Sequence, residues 1–379
     1  MLIIATSPDA VKINGKPDPD VVKALIDAKA AGNPVGLISN HAEPAWFEDT
    51  FGVSGVQFLC TRGRQDGHII SENAERHSLP PYDALVLAAK PEDVRMGKNG
   101  GAVLIAAGWG SQDQKVQSLG IRVDTADELR EVISLSAQWP GGWWYTADMP
   151  GYSVRALADL SGYGKSDPQI VFSKKLTATV KKGGGRLNAL LAIVARSLLS
   201  DGFGAEKDLV WGVYPSSSSD NDDDEVLSDF VHRLRTTVSR VRYAKRGEPL
   251  FYRHSPSPKR SIGGGGDRKD PTDQITTIHL NPFYADKGRL VGKHVVIVDD
   301  CTTYGVSFGV ASAFLKAAGA AKVTCIALGK FGNKVGYYEI AINSNPSAPV
   351  AATGFEASRV GFSGETNGTS QHQLLSLIP

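Results

Sequence analysis

Two adjacent acids, Asp299 and Asp300, close the apolar run Val295–Val298, and after Cys301 come Thr302, Thr303, Tyr304, Gly305, Val306 and Ser307. Consecutive apolar residues of this kind predict a strand buried on both faces. Open α/β sheets bind their ligands at the carboxyl ends of such strands. From Ser307 to Ala318 the pattern predicts a helix with Val310, Phe314 and Leu315 toward a core. The start of a helix presents free backbone N–H groups and a positive dipole end, which together seat a phosphate. Gly305 lets the backbone come close to it, and the hydroxyls of Thr303 and Ser307 add donors. Neighbouring carboxylates accept hydrogen bonds from a vicinal diol such as that of a ribose. The segment is therefore suited to ribose and phosphate together.

The elements that must position this segment read as an α/β alternation. Leu2–Ala5, Val35–Ile38, Val56–Cys60, Ala84–Ala88 and Val103–Ala107 are short apolar runs. Between the first two, Pro19–Ala30 predicts a helix with Val21, Val22, Leu25 and Ile26 on one face. Strands alternating with helices predict a parallel sheet with right-handed crossovers. After the run Gly120–Val123 and the helical stretch Ala126–Ser136, residues 139–149 are rich in Trp, Gly and Pro, which places a domain boundary near 140–155. Trp139, Trp143 and Trp144 read as packing at that junction. A second alternation follows, with helices at Arg186–Leu199, Glu225–Val241 and Ser307–Ala318, and strands at Asp208–Tyr214, Ile275–Leu280, His294–Val298 and Lys322–Leu328. Pro249–Arg253 reads as extended, and the polar stretch from residue 330 onward as partly irregular. The expected fold class is α/β: two three-layer domains, 1–140 and 150–379, each on a mainly parallel sheet.

The segment Val295–Ser307 resembles the phosphoribosyl-diphosphate (PRPP) motif of type I phosphoribosyltransferases: four apolar residues, two acids, a short Thr/Gly loop and a closing Ser or Thr. Tyr304 departs from it, standing where that family has Thr or another small residue. The resemblance implies that Asp299 and Asp300 hold the ribose hydroxyls and serve Mg²⁺, and that Thr302, Thr303, Tyr304, Gly305, Val306 and Ser307 wrap the 5-phosphate. It implies a pyrophosphate loop after Leu209–Tyr214, here Pro215–Ser219 with Ser216 and Ser217 as donors. Mg²⁺ would offset the acids of Asp220–Glu225. It also implies a mobile basic lid, matched by Arg253–Asp270 with Arg253, His254, Lys259, Arg260, Arg268 and Lys269 around Gly263–Gly266. The spacing of this basic stretch is similar to that of the ComF-like branch.

Residues 1 to about 135 resemble the haloacid dehalogenase (HAD) fold, on Val21–Gly32, Val35–Asn40, Lys90-Pro91 and Gly108–Ile121. The resemblance implies a phosphate-binding hydroxyl at Ser39 and a balancing cation at Lys90. Ala5 and Ser7 stand where that family carries its nucleophilic Asp and its second acid, and Gly108-Trp109-Gly110 stands where Gly-Asp is usual. Asp113 remains as one acid for a metal, and Asp9 as an alternative nucleophile. Without the nucleophile, aspartyl-phosphate chemistry cannot proceed. The first domain is expected to be catalytically silent and to serve binding, regulation or assembly.

The 379 residues carry a formal net charge of +1, with 41% hydrophobic and 21% charged side chains. That balance suits a soluble globular chain and gives no overall pull toward nucleic acid or an anionic membrane. Cys60, Cys301 and Cys325 have neither disulfide-framework nor zinc spacing, so a reducing, cytoplasmic compartment is expected. No signal peptide and no membrane span are read. The expected function is a phosphoribosyltransferase that uses PRPP and Mg²⁺, transfers ribose 5-phosphate to a nitrogenous acceptor and releases pyrophosphate. The alternative is a non-catalytic regulator that senses PRPP or a nucleotide, within a stress or defence assembly. The expected partners are PRPP with a base or nucleotide, and a second copy or another protein through the first domain.

Overall fold

The computed structural model describes residues 1–110, 112–183, 187–206, 208–222, 225–238, 247–257 and 267–377. The chain divides into two α/β units. The first comprises residues 1–141, 185–206 and 233–240, the second residues 142–184, 207–232 and 241–379. The chain thus returns to the first unit after entering the second, a crossing that the contiguous reading at 140–150 did not contain.

In the first unit six parallel strands lie in the order Gln57–Cys60, Val35–Ser39, Ile3–Thr6, Ala84–Ala88, Val103–Ala107, Ile121–Val123. Ile3–Thr6, Ala84–Ala88 and Val103–Ala107 are buried at every position, which is why they read as unbroken apolar runs. Pro19–Ala30 begins as a helix because Pro19 sets the first turn and the Asp18 carboxylate accepts from the N–H groups of Asp20 and Val21.

The helix Leu187–Ser200, expected in the second domain, belongs to the first unit. It is buried from Ala189 to Leu198. Its Arg196 donates to Asp83 at 2.6 Å and to the Ser136 carbonyl, while Trp139 Nε1 donates to Ser197 Oγ at 3.0 Å. Burial pushes the Arg196 guanidinium down and the Asp83 carboxyl up, and each partner's charge opposes the other's shift. Removing one member of a buried pair strands the other charge. Arg196→Ala is therefore expected to destabilise the first unit by about 3 kcal/mol, read as a lower urea midpoint with an unchanged slope.

The second unit is built on strands in the order Leu209–Val213, His294–Thr302, Lys322–Lys330, Ser153–Asp159, Tyr145–Asp148, Glu365–Thr366. The first four are parallel, and the last two run antiparallel to their neighbours. Val295, Val296, Ile297 and Val298 are fully buried, as is most of the helix Val306–Ala317 behind the same strand. Phe251–Arg253 pairs antiparallel with Ile278–Leu280 in a separate two-stranded sheet.

The stretch from residue 330 onward is ordered rather than irregular: a ribbon of Val335–Ile342 with Phe355–Ser363, then the helix Gly368–Leu377. Phe355–Ser363 has no buried face, so no alternation marked it as a strand. The ribbon is anchored by Tyr145, whose hydroxyl donates to the Ser363 carbonyl at 2.6 Å and accepts from Val335 N–H at 3.0 Å. Gly364, at φ 114°, lies so close to that phenol that a side chain would overlap it. Among the described residues no helix is long and apolar enough to cross a membrane.

Candidate functional site

The strand His294–Thr302 runs on through both acids, so Asp299 and Asp300 are strand residues rather than loop residues. Alternation along a strand sends neighbouring side chains to opposite faces. Asp299 Oδ2 accepts from the Ser307 hydroxyl at 3.1 Å, and Asp299 Oδ1 accepts from Asp300 N–H at 2.9 Å. Asp300 accepts from Cys301 N–H at 2.6 Å and has Lys181 Nζ at 3.7 Å. Burial first, and then the Asp300 charge, push the Asp299 carboxyl well above the usual carboxylate range, with the Ser307 hydroxyl opposing. Burial, then Asp300 and Asp299, push the Cys301 thiol up as well, which keeps it protonated.

Between the acids and the helix, the loop is held from inside. Thr302 Oγ1 accepts from Gly305 N–H at 3.2 Å, so this buried hydroxyl shapes the turn. Gly305 takes φ 76°, a conformation that favours glycine, and a Cβ there would lie 3.1 Å from Val335 Cβ, so that side chain would have to give by a few tenths of an ångström. Thr303 is exposed, Val306 is buried, and Ser307 is committed to Asp299. The Tyr304 carbonyl accepts from Gly336 N–H at 2.8 Å. The Tyr304 ring is half-buried, with Lys269 Nζ 5.3 Å from its centroid. A basic residue of the expected lid therefore stands over the loop, on the side chain that departs from the motif.

Lys330, which sequence reasoning did not single out, completes the loop. It is fully buried, and its Nζ lies 3.0 Å from the Thr303 carbonyl, 3.0 Å from that of Phe331, and 2.9 Å from those of Gly332 and Lys334. Burial pushes its amine down from 10.5 to about 8, with Asp159 opposing. The only trace in the sequence is a lysine ending an apolar strand.

On the adjacent parallel strand, Leu209–Val213 leads into Tyr214, whose N–H donates to the Val298 carbonyl at 3.0 Å. This brings the Pro215–Ser219 loop beside the acids' strand. Ser216 is exposed and donates to Glu225 at 3.2 Å, while the Ser217 carbonyl accepts from Ser257 N–H at 3.0 Å.

Arg253, expected as a lid cation, is instead buried and structural. It donates to the Ser216 carbonyl at 2.5 Å, the Pro215 carbonyl at 3.2 Å and Thr277 Oγ1 at 2.7 Å. Burial pushes its guanidinium down, opposed by Tyr214 and by the charge of Asp299. Of the other expected lid residues, Arg268 is exposed, and Arg260 with Lys259 and Gly263–Gly266 lies outside the described residues. Among the described residues, no cluster of three or more His, Cys, Asp or Glu is placed to hold a metal ion.

In the first unit, Ala5 is buried within the strand and offers no nucleophile. Ser7 is buried and donates to Asp93 at 2.8 Å, and Asp93 also meets Arg64 at 2.8 Å. Lys90 Nζ pairs with Asp9 at 2.7 Å, both partly exposed. Ser39 Oγ accepts from His41 N–H at 3.0 Å, and Asp113 caps a short helix by accepting from Lys115 N–H at 2.8 Å. The structure thus brings Lys90 and Asp9 together. Aspartyl-phosphate chemistry needs an attacking carboxylate; with Ala5 at the position expected for it, p-nitrophenyl phosphate is expected to remain unhydrolysed. Turnover that disappears in Asp9→Asn would show the opposite.

No family model matches the chain, and no curated protein matches it. Among solved structures, one from Lactobacillus delbrueckii subsp. bulgaricus, provisionally named a phosphoglycolate phosphatase, is similar to part of it. That match has 21% identity over 32% of this chain and 55% of the other, with a TM-score of 0.29. A likeness that weak supports no conclusion about fold or activity.

Proposed function

We propose that the second unit binds PRPP with Mg²⁺ and transfers its ribose 5-phosphate to a nitrogenous acceptor, releasing pyrophosphate. The observation that carries this reading is the Ser307–Asp299 hydrogen bond. It ties the Asp299 carboxylate at a strand end to the first turn of a helix, so an acceptor for a ribose hydroxyl and donors for a phosphate share one short turn. The neighbouring Pro215–Ser219 loop, pinned by Arg253, and Lys269 above Tyr304 support it. So does the likeness of Val295–Ser307 to the type I phosphoribosyltransferase motif.

In this reading Asp299 and Asp300 take the ribose hydroxyls. The N–H groups at the start of the Val306–Ala317 helix and the Thr303 hydroxyl hold the phosphate, and Ser216 and Ser217 face the pyrophosphate. Two carboxylates beside a diphosphate match the way Mg²⁺ is usually bound, through one or two carboxylates plus substrate phosphates. When bound, the ion neutralises charge on the leaving group. The acceptor nitrogen bonds to the anomeric carbon as the bond from that carbon to the diphosphate oxygen breaks. The electron pair leaves with pyrophosphate, and the acceptor's proton passes to water. Loop closure would keep water from the electron-poor carbon.

The second reading is a non-catalytic sensor of PRPP or a nucleotide, with the first unit a HAD-like module kept for binding. Ala5 favours it, since an apolar side chain fills the nucleophile position. Incubating the protein with PRPP, Mg²⁺ and a panel of bases separates the two. Base-dependent release of pyrophosphate establishes transfer, and PRPP binding without release favours the sensor.

A further inference from the structure

The second unit also holds a cleft of about 570 Å³ between the helix Val306–Ala317 and the ribbon. It is distinct from the Thr303–Ser307 loop. Ser312 and Lys316 line it, one turn apart on the same helix face, and Lys316 lies about 13 Å along the helix from Ser307. Tyr152, which also lines it, stands just before the amino end of the strand Ser153–Asp159, whereas the loop lies at the carboxyl end of the parallel strand His294–Thr302. Helix and ribbon touch at Gly309, where a Cβ would come within 2.8 Å of Tyr338 Cβ, and Lys316, about two turns further along the helix, also lines the cleft.

Three features give the cleft a chemical preference. Tyr152 and Tyr337 form an aromatic wall, with centroids 6.3 Å apart. Glu339, which also accepts from the Tyr337 hydroxyl, and Glu356 bring two carboxylates to a lining that holds the single ammonium of Lys316. The Ser312 hydroxyl, in a residue only 2% exposed, has no hydrogen-bond partner. A buried hydroxyl left unpaired is costly, and this one sits on the helix face that lines the cleft. Tyrosine faces and an excess of carboxylate both favour a flat, cationic molecule.

We infer that this cleft is a second ligand site, taking a small aromatic molecule that carries a protonated amine. The ring packs on Tyr152 and Tyr337, the amine meets Glu339 and Glu356, and Lys316 tolerates a ligand that also bears a carboxylate. The inference stands apart from the reading of the phosphate loop and survives its failure.

The test is calorimetric titration of the full chain with three molecules that share one ring: tryptamine, L-tryptophan and indole-3-acetate. Tryptamine and tryptophan are expected to bind saturably, with indole-3-acetate at least tenfold weaker. Glu339→Gln combined with Glu356→Gln, both on exposed positions, is expected to weaken tryptamine at least tenfold without changing the melting temperature. Failure of tryptamine to bind, equal binding of all three molecules, or unchanged tryptamine affinity in the double variant would overturn the inference.

Discussion

Replacing Asp299 and Asp300 together by Asn is expected to weaken PRPP binding at least ~100-fold while leaving the melting temperature unchanged or higher. Hydrogen bonds to charged groups contribute about 1.5–3 kcal/mol each, and two of them exceed the roughly 2.7 kcal/mol that a hundredfold loss represents. The stability half of the expectation comes from Asp299 itself. Its carboxyl sits well above the usual range because burial and Asp300 penalise its charge. The folded chain therefore holds that proton more tightly than the unfolded chain. This group's contribution to stability falls as pH rises from 3.8 through the raised value. A neutral Asn removes that penalty. The single variant Asp300→Asn supplies a second reading: with the like charge gone, the acid limb of PRPP affinity should move to lower pH. Affinity unchanged in the double variant would remove ribose from the site.

Lys330→Met carries the next largest effect. Methionine keeps much of the volume but leaves the carbonyls of Thr303, Phe331, Gly332 and Lys334 without their shared donor. A loss of about 3 kcal/mol in stability is expected, with PRPP affinity lowered at least tenfold as the Thr303 end of the loop is released. The pH dependence separates the two roles. The amine titrates near 8 in the folded chain against 10.5 ordinarily, so between those values the unfolded chain binds the extra proton. This group's contribution to stability therefore rises with pH across that window. PRPP affinity should fall over the same window as the ammonium beside the loop is lost. Both trends should vanish in Lys330→Met, and their persistence would show that the lysine is not the titrating group.

The local part of this architecture was legible in the chain. Val295–Val298 reads as a buried strand because both of its faces are covered, and Ser307–Ala318 anticipates the observed helix Val306–Ala317 to within a residue. What fixes the loop was not legible, because its contacts are long-range. Nothing near Arg253 says that it will turn inward to the Pro215 and Ser216 carbonyls rather than outward as a lid. Nothing near Lys330 points to Thr303. The helix Leu187–Ser200 is apolar on nearly every side, so its pattern could not say which core it enters; Arg196 and its partner Asp83 decide that in space. The ribbon Val335–Ile342 with Phe355–Ser363 failed for the opposite reason, since its second strand buries no face at all.

The central claim is that the turn joining Asp299 to Ser307 is a PRPP site. Calorimetric titration of the full chain with PRPP, with and without Mg²⁺, tests it most directly. The account predicts saturable binding at one site per chain that strengthens with Mg²⁺ and is competed by pyrophosphate. Absence of saturable binding under both conditions would contradict it.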